Sequence, residues 1–427
     1  MNRSIVLLKS FLNHELITGS FYIFVGGLAS SFLAFLFNLF MARNLSYADY
    51  GILASLTSLF TLAIIPSQSL TSTIVRFATR FFAKGEEIKA AIFYKKMIVF
   101  WFGIGLLFFG AVSVFSPLIS EFLKIEQRIL IAIMGVTIAL VYMSIVNIAF
   151  LQSLLKFRFL SGLYISGSLV KMILGVLLVY LGYSVGGALW AIVSMSLVGY
   201  LLGFFPLRSF LKNVEYSNVI IDWKEIVYYA LPTMAILTSV TSLVTSDVIL
   251  VKHFFSAHDA GLYGGISLIG KVIFYFTAPI TSVMFPLIVR KHAKGENFHG
   301  LFNLSLMLVA FSSLFITVFY YIFPQFSVKF FLGGGEYLRI APFLGLFGFL
   351  ITLYSVLYVM VNFFLSVKRT EIVYPCVLAS ILQVFLIYIF HNNFLNVIYA
   401  TIFSSALLLS ILVLYYIKQY GLHYAPK

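Results

Sequence analysis

The sequence predicts an all-α polytopic membrane protein of about twelve transmembrane helices, in two six-helix bundles related by a pseudo-twofold axis along the membrane normal. Three observations predict it. Of 427 residues, 62% are hydrophobic and only 10% charged, whereas an ordinary soluble domain carries roughly 25% charged residues, so too little polar surface exists to keep a globule of this size in water. Apolar runs of about twenty residues recur along the whole chain, each long enough to cross a hydrocarbon core of roughly 30 Å as a helix. A segment of the first half also returns in the second at a fixed offset.

The runs fall at 19–40, 50–74, 97–119, 129–151, 161–181 and 186–206, then at 226–251, 261–284, 300–323, 341–366, 372–391 and 395–417. Apolar–polar alternation over ten-residue segments, the mark of a membrane barrel, is absent, so the spans are helices. The first run is too long for a signal peptide, and Arg43 follows it where a small-residue cleavage site would stand. Residues 1–18 place Ile5, Leu8, Leu12 and Leu16 on one face and form either a short interfacial helix or a frayed leader. The domains are therefore an N-terminal bundle over 1–206, a linker over 207–225 and a C-terminal bundle over 226–427. The single cysteine, Cys376, lies within the eleventh run, so no intramolecular disulfide can form.

Lysine and arginine set the orientation. With both termini cytoplasmic, the inside segments hold 20 of these residues and the outside segments 6, while Lys171 and Lys271 fall within spans. That satisfies the positive-inside rule. The net charge of +14 is thus mostly loop charge. Basic residues spread over seven loops form no stripe that could follow a nucleic-acid backbone, so no nucleic-acid partner is expected.

Residues 44–86 align with 254–296 without a gap. The matches include Ser46/Ser256, Asp49/Asp259, Gly51/Gly261, Thr71/Thr281, Ser72/Ser282 and Arg80/Arg290, then Ala-Lys-Gly-Glu at 83–86 and at 293–296. Most are polar residues or glycines in equivalent loops, which biased apolar composition alone would not produce. Six spans separate the copies, an even number, so both halves enter the membrane in one orientation. This is the parallel-repeat plan of many secondary transporters, with substrate bound between rocking halves.

The segment Ala42-Arg43-Asn44-Leu45-Ser46-Tyr47-Ala48-Asp49-Tyr50-Gly51 resembles the loop that opens polysaccharide transporters of the multidrug/oligosaccharidyl-lipid/polysaccharide flippase superfamily. Its partner Asp259-Ala260-Gly261-Leu262-Tyr263, with Asp247 before it and Phe285-Pro286 after it, looks like the signature of the second half, and Arg76-Phe77 also fits. Ser46-Tyr47 stands where the family usually has Gly-Pro. The resemblance implies flipping of a polyprenyl-pyrophosphate-linked oligosaccharide, an O-antigen or capsule repeat unit, from the cytoplasmic to the outer leaflet of a bacterial inner membrane. It also implies the lipid bilayer and other polysaccharide-assembly membrane proteins as partners, and no cofactor beyond a coupling proton or sodium ion.

Such a cargo joins an anionic pyrophosphate to a polar glycan and an apolar tail, which makes intramembrane charge informative. A lysine at a helix centre costs roughly 2.5–3.5 kcal/mol on insertion scales, so it ordinarily faces a cavity or a partner. Lys171 and Lys271, one near the middle of the fifth span and one near the middle of the eighth, are candidates to attract the pyrophosphate; alternatively each neutralises a carboxylate or bonds backbone carbonyls. Asp247, about one turn from the outer end of the seventh span, is a candidate for the coupling ion or for a counter-ion to Lys271. Arg76 and Arg43 cap spans on opposite sides, where snorkelling to the interface competes with a role in meeting the pyrophosphate. Gln68, Asn38, Asn147, Gln152 and Gln383 could bond sugar hydroxyls or bond between helices. Pro66, Pro232, Pro279 and Pro286 supply kinks.

Other classes fit less well. An oligosaccharide polymerase or lipid-linked glycosyl transferase normally needs a large extramembrane loop or clustered acids and histidines; the longest loops here are about twenty residues, and the seven histidines fall outside the spans or, for His391, at the very end of one, at no metal-ligand spacing. The chain is therefore read as a non-enzyme. A small-cation drug exporter of the same superfamily is the nearer alternative, but two lysines against one aspartate favour an anion.

Overall fold

The computed structural model describes residues 15–83, 85–208 and 223–420. The interfacial-helix expectation therefore falls largely outside the described residues, as does most of the linker. Among the described residues the elements are helical. They run α1 (Glu15–Asn44), α2 (Tyr47–Ala83), α3 (Glu87–Val114), α4 (Ser116–Leu123), α5 (Arg128–Ser153), α6 (Phe157–Tyr180) and α7 (Ser184–Phe204). After the linker come α8 (Trp223–Ser242), α9 (Ser246–Phe254), α10 (Ala257–Ala293), α11 (His299–Ile322), α12 (Pro324–Leu332), α13 (Ala341–Ser366), α14 (Val373–Ile389) and α15 (Phe394–Tyr420). Eleven are long and apolar enough to cross a membrane, twelve when α8 and α9 count as one bent span, so the all-α, polytopic expectation holds.

Four spans differ from the sequence expectation: the second and eighth run on to Ala83 and Ala293, nine residues past the expected ends, and the seventh and third change the path of the chain. The seventh, expected as one helix over 226–251, is bent by 50° between α8 and α9. Its break carries a run of hydroxyls that compete for backbone bonds. Thr245 Oγ1 donates to the Thr241 carbonyl at 2.9 Å, and the Ser242 and Ser246 hydroxyls bond each other at 2.6 Å. The third span begins at Glu87 rather than near 97, placing Lys89, Lys95 and Lys96 on the helix, and it stops at Val114 ahead of Ser116-Pro117, where proline disfavours a continuing helix.

The internal repeat is realised residue for residue. Both α2 and α10 are 37 residues long and begin and end at equivalent positions. Ser46 Oγ accepts the Asp49 amide at 3.1 Å, and Ser256 Oγ accepts the Asp259 amide at 3.0 Å, so the shared Ser-x-x-Asp is a helix N-cap. At the other end Gly85 and Gly295 both have φ +70°. The Glu86 amide returns to Phe81 O at 3.0 Å and the Glu296 amide to Lys291 O at 2.9 Å, a Schellman stop that requires the glycine. The matched glycines Gly51 and Gly261 meet one another. A Cβ on Gly51 would lie 2.8 Å from the Gly261 nitrogen, and one on Gly261 would lie 1.8 Å from the Tyr47 carbonyl oxygen.

The chain divides into two compact units, 1–40 with 66–121 and 126–230, and 41–65 with 122–125 and 231–427. The second therefore takes in the end of α1 and the first half of α2, up to Pro66. In the first unit α5 is central, packed against α3 and α7. Tyr142 stacks on Trp101 and Phe108 there, with centroids 5.7 and 4.9 Å apart. In the second unit α13 is central, packed against α10, α11 and α15. Buried hydroxyls cross these helices, Thr317 to Thr352 at 2.8 Å and Thr277 to Ser355 at 3.2 Å.

Candidate functional site

Within the first unit, α1 and α6 lie close together. Ser30 and Ser168 share a 2.6 Å hydrogen bond, and a Cβ on Gly26 would strike Ser161. One turn beyond Ser168 on α6 is Lys171, 8% exposed, its Nζ 4.8 Å from the centroid of the Phe37 ring on α1. Arg158 makes the equivalent contact over Tyr22 at 4.9 Å, farther down the same helix pair. Among the described residues, no carboxylate and no hydrogen-bond acceptor pairs with Lys171. A cation–π contact contributes about 0.5–2 kcal/mol, less than the roughly 2.5–3.5 kcal/mol cost of a lysine at this depth, so the charge is left under-compensated.

Within the second unit the arrangement is different. Asp247 stands in the first turn of α9, just past the break, and is 1% exposed. A helix N-terminus carries a partial positive charge that favours a carboxylate. Tyr263 donates its hydroxyl to Asp247 Oδ2 at 2.8 Å, while Oδ1 is buried without a hydrogen-bond partner among the described residues. Lys271 on α10 is half-buried and close enough to interact electrostatically with Asp247. Tyr263, Ser267 and Lys271 recur every fourth residue and so share one face of α10; the Ser267 hydroxyl is likewise buried without a partner. Sequence reasoning singled out Asp247 and Lys271 but passed over Tyr263 and Ser267, although the four-residue spacing back from Lys271 was available to find them.

The remaining candidates are dispersed. Asn147 is fully buried in the first unit, accepting from the Tyr94 hydroxyl at 2.6 Å and donating to the Tyr200 carbonyl at 3.0 Å, which joins α3, α5 and α7. Asn38 donates to Ala34 on its own helix at 2.8 Å. Gln152, near the end of α5, is half-buried. Gln383, in the second unit, donates to Thr401 at 3.1 Å and to the Leu243 carbonyl, freed by the helix break, at 3.0 Å. Arg43 donates to the Phe331 carbonyl at 2.7 Å and to that of Phe330, closing the C-terminal end of α12. Gln68 and Arg76 lie on α2, but their side chains are outside those described.

The Arg43 end of the second unit holds a cluster that the sequence did not announce. Tyr47 packs its ring on His258 and Tyr337, with centroids 5.0 and 4.8 Å apart, and its hydroxyl accepts the Glu336 amide at 3.2 Å. His258 meets Glu336 at 2.9 Å, and Tyr337 donates to the Ala42 carbonyl at 3.0 Å. The chain can reach back here because Gly333, Gly334 and Gly335 all adopt positive φ, from +63° to +87°, a run that non-glycine residues enter only at a cost.

A broken apolar helix beside a buried carboxylate, in a chain with an internal parallel repeat, is a plan found in many secondary transporters. Residues 40–342 match the family described as polysaccharide biosynthesis protein, and the chain belongs to that family. It is 27% identical over 315 residues to an uncharacterized membrane protein of Methanocaldococcus jannaschii, covering 70% of this chain and 72% of that protein. Among solved structures, the inward closed conformation of the lipid II flippase MurJ superposes with a TM-score of 0.71 at 15% identity, covering 92% of this chain and 86% of that one. An inward-facing multidrug resistance MATE family transporter of the MOP superfamily superposes at 0.66 with 13% identity, covering 90% and 93%. The fold is thus shared by lipid flippases and drug exporters alike.

Proposed function

We propose that this protein flips a polyprenyl-pyrophosphate-linked oligosaccharide, an O-antigen or capsule repeat unit, from the cytoplasmic to the outer leaflet of the inner membrane by alternating access, with both termini cytoplasmic. The observation that carries this reading is Lys171, a buried ammonium over the Phe37 ring with no carboxylate to balance it among the described residues. An anionic pyrophosphate supplies the missing charge, whereas a cationic drug would add to the excess. Family membership supports the polysaccharide half of the reading. In this scheme Lys271 is the second cationic contact and Asp247 takes a coupling proton or sodium ion. Arg76 meets the incoming pyrophosphate, and other membrane proteins of polysaccharide assembly supply and remove the lipid.

The test is direct. Deletion of the gene should leave a lipid-linked oligosaccharide accumulating in the inner leaflet, and complementation with the Lys171→Gln/Lys271→Gln double variant should not clear it. Normal clearance by that variant, or efflux of cationic dyes in place of lipid movement, would overturn the assignment.

A further inference from the structure

The last two helices of the second unit leave a cleft that the transport scheme does not use. α14 and α15 are joined by residues 390–393. A cavity of about 450 Å³ lies between them, lined by Ile372, Leu378, Ala379, Leu382, Leu408 and Leu412, together with Glu371, Tyr374 and Tyr415. That volume is in the range of small-molecule sites, roughly 300–1,000 Å³, and apart from Glu371, Tyr374 and Tyr415 the lining is apolar. The occupant is therefore held by a chain of methylenes rather than by hydrogen bonds. Tyr374 is 72% and Leu378 66% exposed, so in a membrane helix the cleft opens onto lipid.

Glu371 is the charged residue of the lining, and three cations flank it in the chain segments on either side, Lys368 and Arg369 just before it and Lys418 one turn past Tyr415. Arg369 meets Glu371 at 3.8 Å, with both side chains largely exposed. Lys418 follows Ile411 and Tyr415 at helical spacing, so it extends the lining face of α15 by one turn. The two lining tyrosines mark the level of the headgroups, where amphipathic rings settle. Apolar depth below that level and a net positive collar above it complement an anionic amphiphile.

We infer that this cleft is a resident lipid site that takes one acyl chain of an anionic phospholipid from the surrounding bilayer, with its phosphate at Arg369 and Lys418. Basic pockets between transmembrane helices bind such headgroups elsewhere. The bilayer is the source because the opening faces the hydrocarbon and phospholipid is the amphiphile available there in excess.

The full chain, purified in detergent, is mixed with equal amounts of phosphatidylglycerol and phosphatidylcholine, and retained lipid is counted by native mass spectrometry. The wild type should retain phosphatidylglycerol in preference to phosphatidylcholine. Arg369→Gln/Lys418→Gln should reduce that preference by about thirtyfold, the effect of two cations at a membrane surface. A control, Lys329→Gln, should not change it. Ala379→Trp fills the cleft and should remove the first adduct of either lipid; Leu378→Trp, at an exposed lining position, should do the same where Ala379→Trp fails to fold. Equal retention of the two lipids by wild type, undiminished retention in both tryptophan variants, or stoichiometric displacement of phosphatidylglycerol by a polyprenyl phosphate would each overturn the assignment, the last by giving the cleft to the transported lipid.

Discussion

Among the described residues Lys171 in the first unit and Lys252 in the second are buried and Lys271 is half-buried; the two that stand near the middle of their spans, Lys171 and Lys271, are treated differently. Lys171 in the first unit has, among the described residues, only the Phe37 ring beneath its ammonium. Lys271 in the second is less deeply buried and sits within the field of Asp247, which is itself held by Tyr263 and by the start of α9. The same residue type is thus an under-compensated charge in one place and part of an acid–base cluster in the other. Burial alone does not make a lysine a binding group; what counts is whether the protein already provides its counter-charge.

Four measurements break or sharpen this contrast. The largest effect belongs to Lys171→Gln. Lipid flux in proteoliposomes should fall at least about tenfold, the equivalent of roughly 1.4 kcal/mol, while the thermal midpoint in detergent stays level or rises, since an unpaired buried charge is a burden on the fold. Wild-type flux would erase the distinction. Next comes a stability cycle over Lys271→Gln, Asp247→Asn and the pair. Close charges should show a coupling of about 0.5–3 kcal/mol, and a value near zero would make Lys271 as solitary as Lys171. Tyr263→Phe follows; it removes a hydrogen bond to a carboxylate and should cost about 1.5–3 kcal/mol, read as a lowered midpoint that vanishes in an Asp247→Leu background. The smallest effect is that of Phe37→Leu, which should weaken the first unit by about 0.5–2 kcal/mol through the lost cation–π contact, and no longer by that amount once Lys171 is glutamine.

Much of the fold could be read from the chain because lipid imposes a simple code. Long apolar runs each correspond to a helix, and the Ser-x-x-Asp and Ala-Lys-Gly-Glu copies, legible in the sequence only as a repeat, form a helix cap and a helix stop. The break in the seventh span could not be read. Residues 243–245 contain neither proline nor glycine, and the partner of the Leu243 carbonyl at the bend is Gln383, 140 positions away. The site was legible as a set of charges and not as a set of contacts. Asn147 and Gln383 read as sugar-binding or interhelical amides, and their partners are carbonyls and hydroxyls on helices that sequence alone cannot bring together. Arg43 read as an interfacial cation, yet its carbonyl partners belong to a helix nearly 290 residues further on.

The meeting of Gly51 with Gly261 has a consequence for how such a chain arises. A residue that touches its own counterpart forms an isologous contact, the kind made when two copies of one polypeptide pair about a twofold axis. A single six-helix ancestor would have needed one glycine at this position to make the contact for both partners. After fusion the constraint is spread over two codons, but the geometry remains unequal in its tolerance. The backbone nitrogen 2.8 Å from a Gly51 Cβ leaves slightly more room than the carbonyl oxygen 1.8 Å from a Gly261 Cβ. Drift away from glycine at this crossing should therefore begin in the first copy.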